Sequence, residues 1–329
     1  MWSPMSEPPR RILVTGACGY LAGRIIQRLE KMVGVDQILA TDIRSPQSKF
    51  SSNKVAFQSL DVCEPFPDLL REHRIESVVH LAYVMNPGHN RRAAWKVNVL
   101  GTANLLDACS NSDVKQICYL SSTSVYGAHP DNPDFLTEES PVRPIKGFQY
   151  SEDKAEAEAL LADYADRAPD CAVTVLRVCP VLGPNADNFI AAAFSKPFLV
   201  AVRGHNPPMQ FIHEDDLVEN LMFCLTEQPR GIFNLTGDGT IRWSEMARIF
   251  GRRLLSLPAP VLYGLTGIGW LLRLQSDSPP CGIDFIRHQW TASTQKARSE
   301  LGMSFQHSSS EAWESFATGK SVSASHRVH

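Results

Sequence analysis

The strongest constraint on the fold is the alternation of short β-branched runs with longer helix-compatible stretches over the first two thirds of the chain. The strand candidates are Arg11–Thr15, Gln37–Thr41, Val55–Leu60, Ser77–Leu81, Gln116–Ser121 and Ala172–Val178, and the helix candidates between them include Ala22–Lys31, Trp95–Ser110 and Tyr150–Ala165. Such alternation predicts βαβ units and a parallel sheet covered by helices on both faces. With right-handed crossovers this is a doubly wound α/β sheet, which binds ligands at the carboxyl ends of its strands.

Charge and cysteine content exclude several classes of protein. The 329 residues include 32 Lys and Arg against 35 Asp and Glu, without a basic block, so nucleic acid is not an expected partner. The eight cysteines form no C-x-x-C pair, which argues against a zinc site and favours free thiols in a reducing cytoplasm. The segment from Met1 to Arg11 holds three prolines and no apolar run, unlike a signal peptide.

Two histidine positions have plain interpretations. The consecutive residues His213, Glu214, Asp215 and Asp216 cannot all face one ion, so no metal is predicted there. Asp215 or Asp216 is instead the expected N-cap of a helix. His80, at the end of a strand, is predicted to be a hydrogen-bonded core histidine and not a catalyst.

The stretch Leu254–Leu272 is uncharged and raises the question of a membrane segment. It contains two prolines and three glycines, and the uninterrupted part after Pro260 falls short of the roughly 20 residues that a spanning helix needs. No integral membrane segment is therefore predicted. A buried helix lining a substrate pocket is the favoured interpretation, and peripheral membrane contact is the alternative.

A glycine-containing turn follows the first strand. The run Thr15-Gly16-Ala17-Cys18-Gly19-Tyr20-Leu21-Ala22 has the spacing G-x-x-G-x-x-A. Glycine lets the backbone approach a pyrophosphate, and the helix that follows presents free N–H groups and its positive dipole end to that anion. A dinucleotide site is therefore predicted, with Gly16, Cys18, Gly19, Tyr20 and Leu21 at the cofactor.

Asp42, at the end of the second predicted strand, indicates which dinucleotide is bound. A carboxylate there accepts hydrogen bonds from the ribose hydroxyls and repels a 2′-phosphate, which favours NAD over NADP. Arg44 favours NADP instead, because a guanidinium two residues later is able to meet that phosphate. NAD is the predicted cofactor, and NADP stays the alternative.

Tyr150 and Lys154 are four residues apart and share one face of a predicted helix. A phenol is a poor base at neutral pH, but a fixed positive charge beside it stabilises the phenolate and lowers its pKa. The pair is therefore a candidate acid/base. Ser122 lies at the carboxyl end of a buried strand, where its hydroxyl is predicted to hold a substrate oxygen. The alternatives are a solvent-facing helix and ordinary turn chemistry.

These motifs occur in order with Val79-His80-Leu81-Ala82, Asn98-Val99-x-Gly101-Thr102 and Phe211-Ile212-His213-Glu214-Asp215-Asp216-Leu217. From about Arg11 to Phe316 the sequence resembles the extended short-chain dehydrogenases/reductases of the NAD-dependent epimerase/dehydratase type. The resemblance implies a Rossmann-type domain, NAD, and hydride transfer at a secondary alcohol or ketone carbon. It also implies a homodimer in which the helices carrying Asn98 and Tyr150 pack against their symmetry mates.

The resemblance also implies roles for single residues. Tyr150 is the acid/base, Lys154 tunes it and holds the nicotinamide ribose, and Ser122 positions the reacting oxygen. The other implied cofactor contacts are Asp61 and Val62 at the adenine, Leu81 and Ala82 beneath the cofactor, and Asn98 in the fourth helix.

The sequence departs from the family pattern at informative positions. Nucleotide-sugar members typically have Asn where this chain has Pro180, and proline lacks the side chain that would bond a sugar diphosphate. Thr123 and Ser124 replace the acidic pair of sugar 4,6-dehydratases, which argues against dehydration. Ala22 replaces a glycine, a change we expect to be harmless.

The domain organisation that follows has two parts. A dinucleotide-binding domain spans residues 11–179, with 210–235 returning to it, and a smaller C-terminal substrate domain comprises 180–209 and 236–316. Residues 1–10 and 318–329 are expected to be flexible tails. Three functions stay open: an enzyme acting on a sugar or sugar nucleotide, a dehydrogenase or reductase of an apolar hydroxy or keto compound similar to 3β-hydroxysteroid dehydrogenases, and a dinucleotide-sensing regulator without turnover.

Overall fold

A computed structural model describes residues 8–325 except 87, 188, 195, 197 and 277. Its strands are β1 Arg11–Thr15, β2 Gln37–Asp42, β3 Val55–Ser59, β4 Ser77–His80, β5 Gln116–Ser122, β6 Ala172–Val178, β7 Val181–Leu182, β8 Phe198–Val202, β9 Pro208–Met209, β10 Ile212–His213, β11 Gly231–Leu235, β12 Ile241–Arg242 and β13 Arg253–Leu257. Seven of these form one parallel sheet in the order β3-β2-β1-β4-β5-β6-β11. This is the doubly wound Rossmann-type order that the sequence predicts.

Helices connect the strands and cover the sheet. They are α1 Tyr20–Glu30, α2 Leu69–Glu72, α3 Arg91–Trp95, α4 Gly101–Ser110, α5 Gln149–Arg167, α6 Phe189–Phe194, α7 Glu214–Glu227, α8 Trp243–Ile249, α9 Ala259–Leu271, α10 Gln295–Leu301 and α11 Ser309–Ser325. A π-helical turn, Lys96–Leu100, joins α3 to α4, and 3₁₀ turns span Thr123–Tyr126 and Pro280–Ile286.

The core lies in two apolar layers, one on each face of the sheet. Alternate residues of β1 show the division: Ile12 and Val14 pack against α1 and α7, whereas Leu13 packs against α4 and α5. Side chains of a strand point alternately to opposite faces, so a central strand buried on both faces is apolar throughout. Burial on both faces explains why Ile12, Leu13 and Val14 of β1 are all apolar.

In the C-terminal part, short strands from two separate stretches of the chain pair with each other. The pairs β8·β13 and β9·β12 each join residues of 198–209 to residues of 241–257, and β7 pairs with β10. These pairs enclose the segment that returns to the main sheet as β11, which pairs with β6. The division into two domains at the bounds given above stays a prediction.

One sequence prediction is wrong in this region. Residues 254–272 do not form a buried helix: β13 is exposed, a break occurs at Pro258, and in α9 only Leu262 is buried. Helix α11 continues to Ser325, past Thr318, and the flexible tail expected from residue 318 onwards stays a prediction. Residues 1–7 and 326–329 lie outside the described part. Within the part of the chain that the structure describes, no helix is long and apolar enough to span a membrane.

Candidate active site

The turn between β1 and α1 is shaped for close approach of a ligand. Gly16 has φ +67°, and a Cβ there would lie 2.7 Å from the backbone nitrogen of Ala82. The Gly19 N–H donates to the Gly16 carbonyl at 2.9 Å and α1 begins at the next residue. Because Gly19 brings no side chain to cap the helix, the first N–H groups of α1 stay available to an anion.

Asp42, at the end of β2, is tied to this turn. Its carboxylate accepts hydrogen bonds from the backbone N–H groups of Cys18 at 3.0 Å and Arg44 at 2.9 Å, and the Arg44 guanidinium lies 3.3 Å away. Burial alone would raise the pKa of Asp42, but these hydrogen bonds outweigh it and hold the pKa below its usual value. The ionised carboxylate fits the ribose acceptor predicted from the sequence.

A buried hydrogen-bond chain supports the segment beneath the predicted cofactor. Thr102 donates to the Asn98 carbonyl at 2.7 Å, so its oxygen accepts from His80 Nε2 at 3.1 Å. His80 Nδ1 then accepts from the Thr15 hydroxyl, which in turn receives the N–H groups of Leu81 and Ala82. Burial lowers the pKa of His80 to about 3, aided by the charge of Lys154, and the imidazole is neutral. His80 is the bonded core histidine that was predicted.

Asn98 lies in the π-helical turn between α3 and α4 and is fully buried. Its Oδ1 accepts the Val84 N–H at 2.7 Å, and its Nδ2 donates to the Asp153 carboxylate at 2.8 Å. The amide thus fixes the loop after β4 and helix α5 relative to each other. Asn98 does not line the cavity described below, and its contact with the cofactor stays a prediction.

Ser122 and Tyr150 meet at the carboxyl end of β5. Ser122 is the last residue of the strand and its hydroxyl accepts the Ser124 N–H at 3.1 Å. Burial raises the pKa of the Tyr150 phenol, while a hydrogen bond with Ser122 opposes the shift. Tyr83 orients Tyr150 from the other side, since its hydroxyl donates to the Tyr150 carbonyl at 2.9 Å and the two rings meet edge to face.

Lys154 lies one turn further along α5, enclosed by aromatic rings. Its ammonium donates to the Leu120 carbonyl at 2.5 Å and to the Tyr119 hydroxyl at 3.3 Å, and it lies 3.7 Å from the centre of the Tyr83 ring. Burial lowers the pKa of Lys154 to about 7, against the opposing effect of nearby carboxylates. The structure therefore places the ammonium beside Ser122 and Tyr150 on the cavity described below, with the Leu120 carbonyl and Tyr119 hydroxyl as its hydrogen-bond partners.

A charged network lies beneath these groups. We call Ser121, Tyr126, Glu158, Arg177 and Asn234 the buried polar network. Glu158 receives three hydrogen bonds from Arg177, the shortest at 2.7 Å, and one from Ser121. Arg177 also donates to the Tyr126 hydroxyl at 2.9 Å, which donates to Asn234. The network connects β5, β6, α5 and β11 directly below Ser122 and Lys154.

One cavity of about 470 Å³ unites most of the predicted site. The predicted residues that line it are Gly16, Gly19, Tyr20, Leu21, Leu81, Ala82, Ser122, Tyr150 and Lys154. Tyr20 and Ser124 also line this cavity, and their hydroxyls are buried without a hydrogen-bond partner in the described structure. The glycine turn and Asp42 together fit a dinucleotide.

The other side of the cavity is apolar. We call Phe194, Met209, Trp243, Phe285, Ile286 and Trp290 the cap wall. The two indole N–H groups donate to backbone carbonyls, that of Trp243 to Val200 and that of Trp290 to Phe285. The cap wall therefore presents carbon to the cavity. Among the described residues around the cavity, Lys154 is the only Lys or Arg, and Pro180 and Asp187 also line it.

Two predicted adenine contacts lie outside the cavity. The Asp61 carboxylate accepts the Cys63 N–H at 2.9 Å. Val62 packs on the helix junction, where a Cβ at Gly101 would come within 2.6 Å of it, and its carbonyl accepts from Asn104. Both residues follow β3, next to the strand that ends in Asp42. Their place at the adenine stays a prediction.

The helix cap predicted at Asp215 or Asp216 is wrong. His213 is the N-cap of α7, and its Nδ1 accepts the Asp215 N–H at 3.2 Å. Asp216 instead accepts the N–H groups of Gln306 and His307, which fastens the C-terminal segment to α7. Among the residues that the structure describes, no group of three or more His, Cys, Asp or Glu side chains is arranged to hold a metal ion.

The sequence profile of the NAD-dependent epimerase/dehydratase family matches residues 12–236, from the second residue of β1 to just past β11. The chain belongs to this family. The match covers the glycine turn, Ser122, Tyr150, Lys154 and the returning strand. Members that resemble the chain include enzymes, as their names state.

Relatives within the family differ in what is known of them. An uncharacterized protein of Mycobacterium tuberculosis is 27% identical over 323 residues, covering 95% of this chain and 85% of that protein. UDP-glucuronic acid decarboxylase 2 of Arabidopsis thaliana is 30% identical over 257 residues, covering 73% of this chain and 56% of the decarboxylase. The solved structure of MoeE5 in complex with UDP-glucuronic acid and NAD is 24% identical, with a TM-score of 0.74 and coverage of 95% and 99%.

Sequence reasoning missed several residues of this epimerase/dehydratase-family site. Tyr83 and Tyr119 around Lys154, the buried polar network and the cap wall were not singled out. Glu158 carries the clearest signal, because it lies four residues after Lys154 on α5 and so shares its face. The cap wall has no comparable signal, since its members come from separate segments between Phe194 and Trp290.

Proposed function

We propose that the protein is an NAD-dependent oxidoreductase that interconverts a secondary alcohol and a ketone. The observation that carries the proposal is the meeting of Ser122 and Tyr150 on the cavity that also contains the glycine turn. A hydroxyl pair at the carboxyl end of β5 and an anion site at the start of α1 open into the same space. Family membership and relatives described with NAD support this arrangement.

The residues that fit NAD are Gly16, Gly19, Tyr20, Leu21 and the Asp42 carboxylate. When bound, NAD supplies a hydride acceptor or donor at its nicotinamide. The Arg44 guanidinium is engaged by Asp42 and does not offer a free charge to a 2′-phosphate, which supports NAD over NADP. The same chemistry serves a dehydrogenase, in which the reduced cofactor leaves, and an epimerase, in which hydride returns to the opposite face.

The chain's own groups handle the proton and the reacting oxygen. Ser122 holds the substrate oxygen, and Tyr150 takes the hydroxyl proton during oxidation or returns it during reduction. Lys154 assists from beneath, because its ammonium holds the Leu120 carbonyl and the tyrosine rings that shape the site. Its contact with a nicotinamide ribose, implied by the family resemblance, is part of this proposal.

The cavity favours an apolar hydroxy or keto substrate over a nucleotide sugar. A sugar diphosphate carries two negative charges, which proteins usually meet with arginine or lysine. The cap wall offers carbon surfaces, Asp187 adds negative charge, and Pro180 has no side-chain donor. The named relatives that act on nucleotide sugars make that class the second candidate.

The experiment is a two-stage assay on the purified protein. Titration of NAD and NADP against tryptophan fluorescence tests the Asp42 argument, and tighter binding of NADP would overturn it. A panel of hydroxysteroids, other apolar alcohols and nucleotide sugars with added NAD then tests the substrate class. It is followed at the NADH absorbance band and by chromatography of the products, because an epimerase releases no NADH. Conversion of nucleotide sugars alone would reverse the substrate assignment, and binding of NAD without conversion of any compound in either readout would favour the sensing regulator.

The homodimer implied by the family resemblance and a cytoplasmic location are further parts of the proposal. In the structure, α5 packs against the π-helical turn and α4, so these helices form one surface unit able to pair with a second copy. Trp95 contributes to that unit, is 39% exposed, and donates to Glu156 on α5 at 3.0 Å. Sedimentation velocity on wild type and Trp95→Glu tests the pairing, and a monomeric wild type would contradict it.

A further inference from the structure

Exposed apolar side chains concentrate in one short segment outside the catalytic cavity. Fifteen large hydrophobic residues are exposed in the described chain, and eight of these fall between residues 254 and 274. The eight are Leu254, Leu255, Val261, Leu265, Ile268, Leu271, Leu272 and Leu274. Scattered single apolar residues are ordinary on protein surfaces, but a contiguous group marks an interaction site.

Four of them lie on one side of helix α9, counting its C-cap residue Leu272. Val261, Leu265, Ile268 and Leu272 are spaced i, i+4, i+7 and i+11, which places them on one helical face, and they are 46–61% exposed. We call these four residues the α9 face. A helix normally turns such a stripe towards the core, whereas here the stripe points outwards.

The opposite side of α9 is already packed. Leu262 is buried with Val202 and Ile283, and Trp270 stacks on His89 with ring centres 4.2 Å apart. The helix is therefore held in place by contacts on its other side, and no described residue covers the α9 face.

The apolar segment itself carries charges of one sign, whereas Asp284 lies on the packed side of α9, where it accepts a hydrogen bond from the Tyr263 hydroxyl. Between residues 251 and 276 the sequence contains Arg252, Arg253 and Arg273 and no Asp or Glu. Arg253 and Arg273 are exposed at the two ends of the apolar segment. Apolar side chains flanked by arginine match a membrane surface with anionic headgroups, because the arginines reach headgroups while the apolar face enters the acyl boundary.

We propose that the α9 face docks peripherally on an anionic lipid bilayer. At 13 residues the helix is too short to cross a bilayer, so it lies in the plane of the interface. The proposal does not depend on the reaction assigned to the cavity.

The position of α9 relates this surface to the cavity. The helix packs on the 3₁₀ turn Pro280–Ile286, and that turn supplies Gly282, Phe285 and Ile286 to the cavity lining. Trp270 also borders a small recess that reaches Tyr150 and Phe148. A protein docked through the α9 face therefore has its apolar cavity next to the lipid.

The test is co-sedimentation of the full-length protein with vesicles. Phosphatidylcholine vesicles with about 30 mol% phosphatidylserine are expected to bind the wild type, and pure phosphatidylcholine vesicles to bind it more weakly. Leu265→Glu and Ile268→Glu are expected to lower the partition coefficient about tenfold or more. Replacing Arg253 and Arg273 by Gln is expected to lower it about tenfold on the anionic vesicles alone.

The matched control is Val33→Glu, which puts the same charge on a residue that is 90% exposed in the loop after α1. It is expected to bind vesicles like the wild type, and circular dichroism checks that all variants fold. Failure of the wild type to bind anionic vesicles, or equal loss in Val33→Glu, would overturn the proposal. So would a dimer that Leu265→Glu converts to monomer without any vesicle binding, since the α9 face would then join two copies.

Discussion

The two sides of the cavity are held together by different kinds of interaction. On the sheet side, Ser122, Tyr150 and Lys154 rest on the buried polar network, where Arg177 and Glu158 are almost completely enclosed. On the other side, the cap wall consists of apolar side chains that are held by packing, apart from the two indole N–H groups that donate to backbone carbonyls. Hydrogen bonds are directional and fix the positions of single atoms, whereas apolar packing tolerates exchange of similar volumes. The comparison suggests that the sheet side fixes the chemistry and the cap wall selects the substrate.

The largest expected effect tests the sheet side at its reacting group. Tyr150→Phe removes the hydroxyl that moves the proton and leaves the ring contacts with Tyr83 and Phe148 in place. Turnover is expected to fall about 10²- to 10⁴-fold, the usual contribution of a positioned acid/base. Steady-state assays on any substrate from the panel measure this. Binding of NAD is expected to be unchanged, and full turnover in the variant would remove Tyr150 from the mechanism.

The next effect tests whether the buried polar network holds the sheet side together. Arg177→Met leaves the Glu158 carboxylate buried without its main partner, which typically costs about 3–5 kcal/mol. Urea unfolding followed by circular dichroism measures the loss. The double variant Arg177→Met with Glu158→Leu removes both charges and is expected to recover most of the stability. A double variant as unstable as the single one would show that the network contributes more than charge pairing.

The sheet side could be predicted from the sequence because its elements are local. Strand β1, the turn at Gly16 and Gly19, and the Tyr150–Lys154 spacing each lie within a few consecutive residues, and their order along the chain determines where they meet. The detailed contacts could not be predicted in the same way. Lys154 binds the Leu120 carbonyl and lies over the Tyr83 ring, and both partners come from other strands or loops.

The cap wall and α9 could not be predicted because they depend on tertiary packing. The apolar composition of residues 254–272 favoured a buried helix. Composition does not show which other segments cover a helix, and the structure leaves most of α9 exposed. The N-cap of α7 was similarly decided by His213, whose ring reaches the Asp215 N–H. Residue type alone favoured an aspartate there.

A smaller effect is the pH dependence of the free energy of unfolding that Lys154, on the sheet side, is expected to cause. Burial lowers the pKa of Lys154 to about 7, whereas the unfolded chain titrates near about 10.4. Between these values the unfolded state binds a proton that the native state lacks, so the free energy of unfolding rises with pH, by at most about 1.4 kcal/mol per unit. Below pH 7 both states are protonated and this contribution is constant.

Urea unfolding between pH 6 and 9.5 measures the slope in wild type and in Lys154→Met, which keeps the length of the side chain. The variant is expected to lack the rise that begins near pH 7. An identical slope in both proteins would mean that the native ammonium keeps its proton, and the enclosure by Tyr83 and Tyr119 would then stabilise the charge more than burial opposes it.

The smallest expected effect tests the cap wall. Ile286 is half-buried and lines the cavity, so Ile286→Ala removes apolar contact with the substrate at little cost to folding. For an apolar alcohol, KM is expected to rise about tenfold, while kcat and the affinity for NAD stay close to wild type. The matched control Val142→Ala shortens a side chain that is 42% exposed and absent from the cavity lining, and it is expected to change neither constant. A fall in kcat at constant KM would contradict the assignment of substrate selection to the cap wall, because the cap wall would then act on the chemistry.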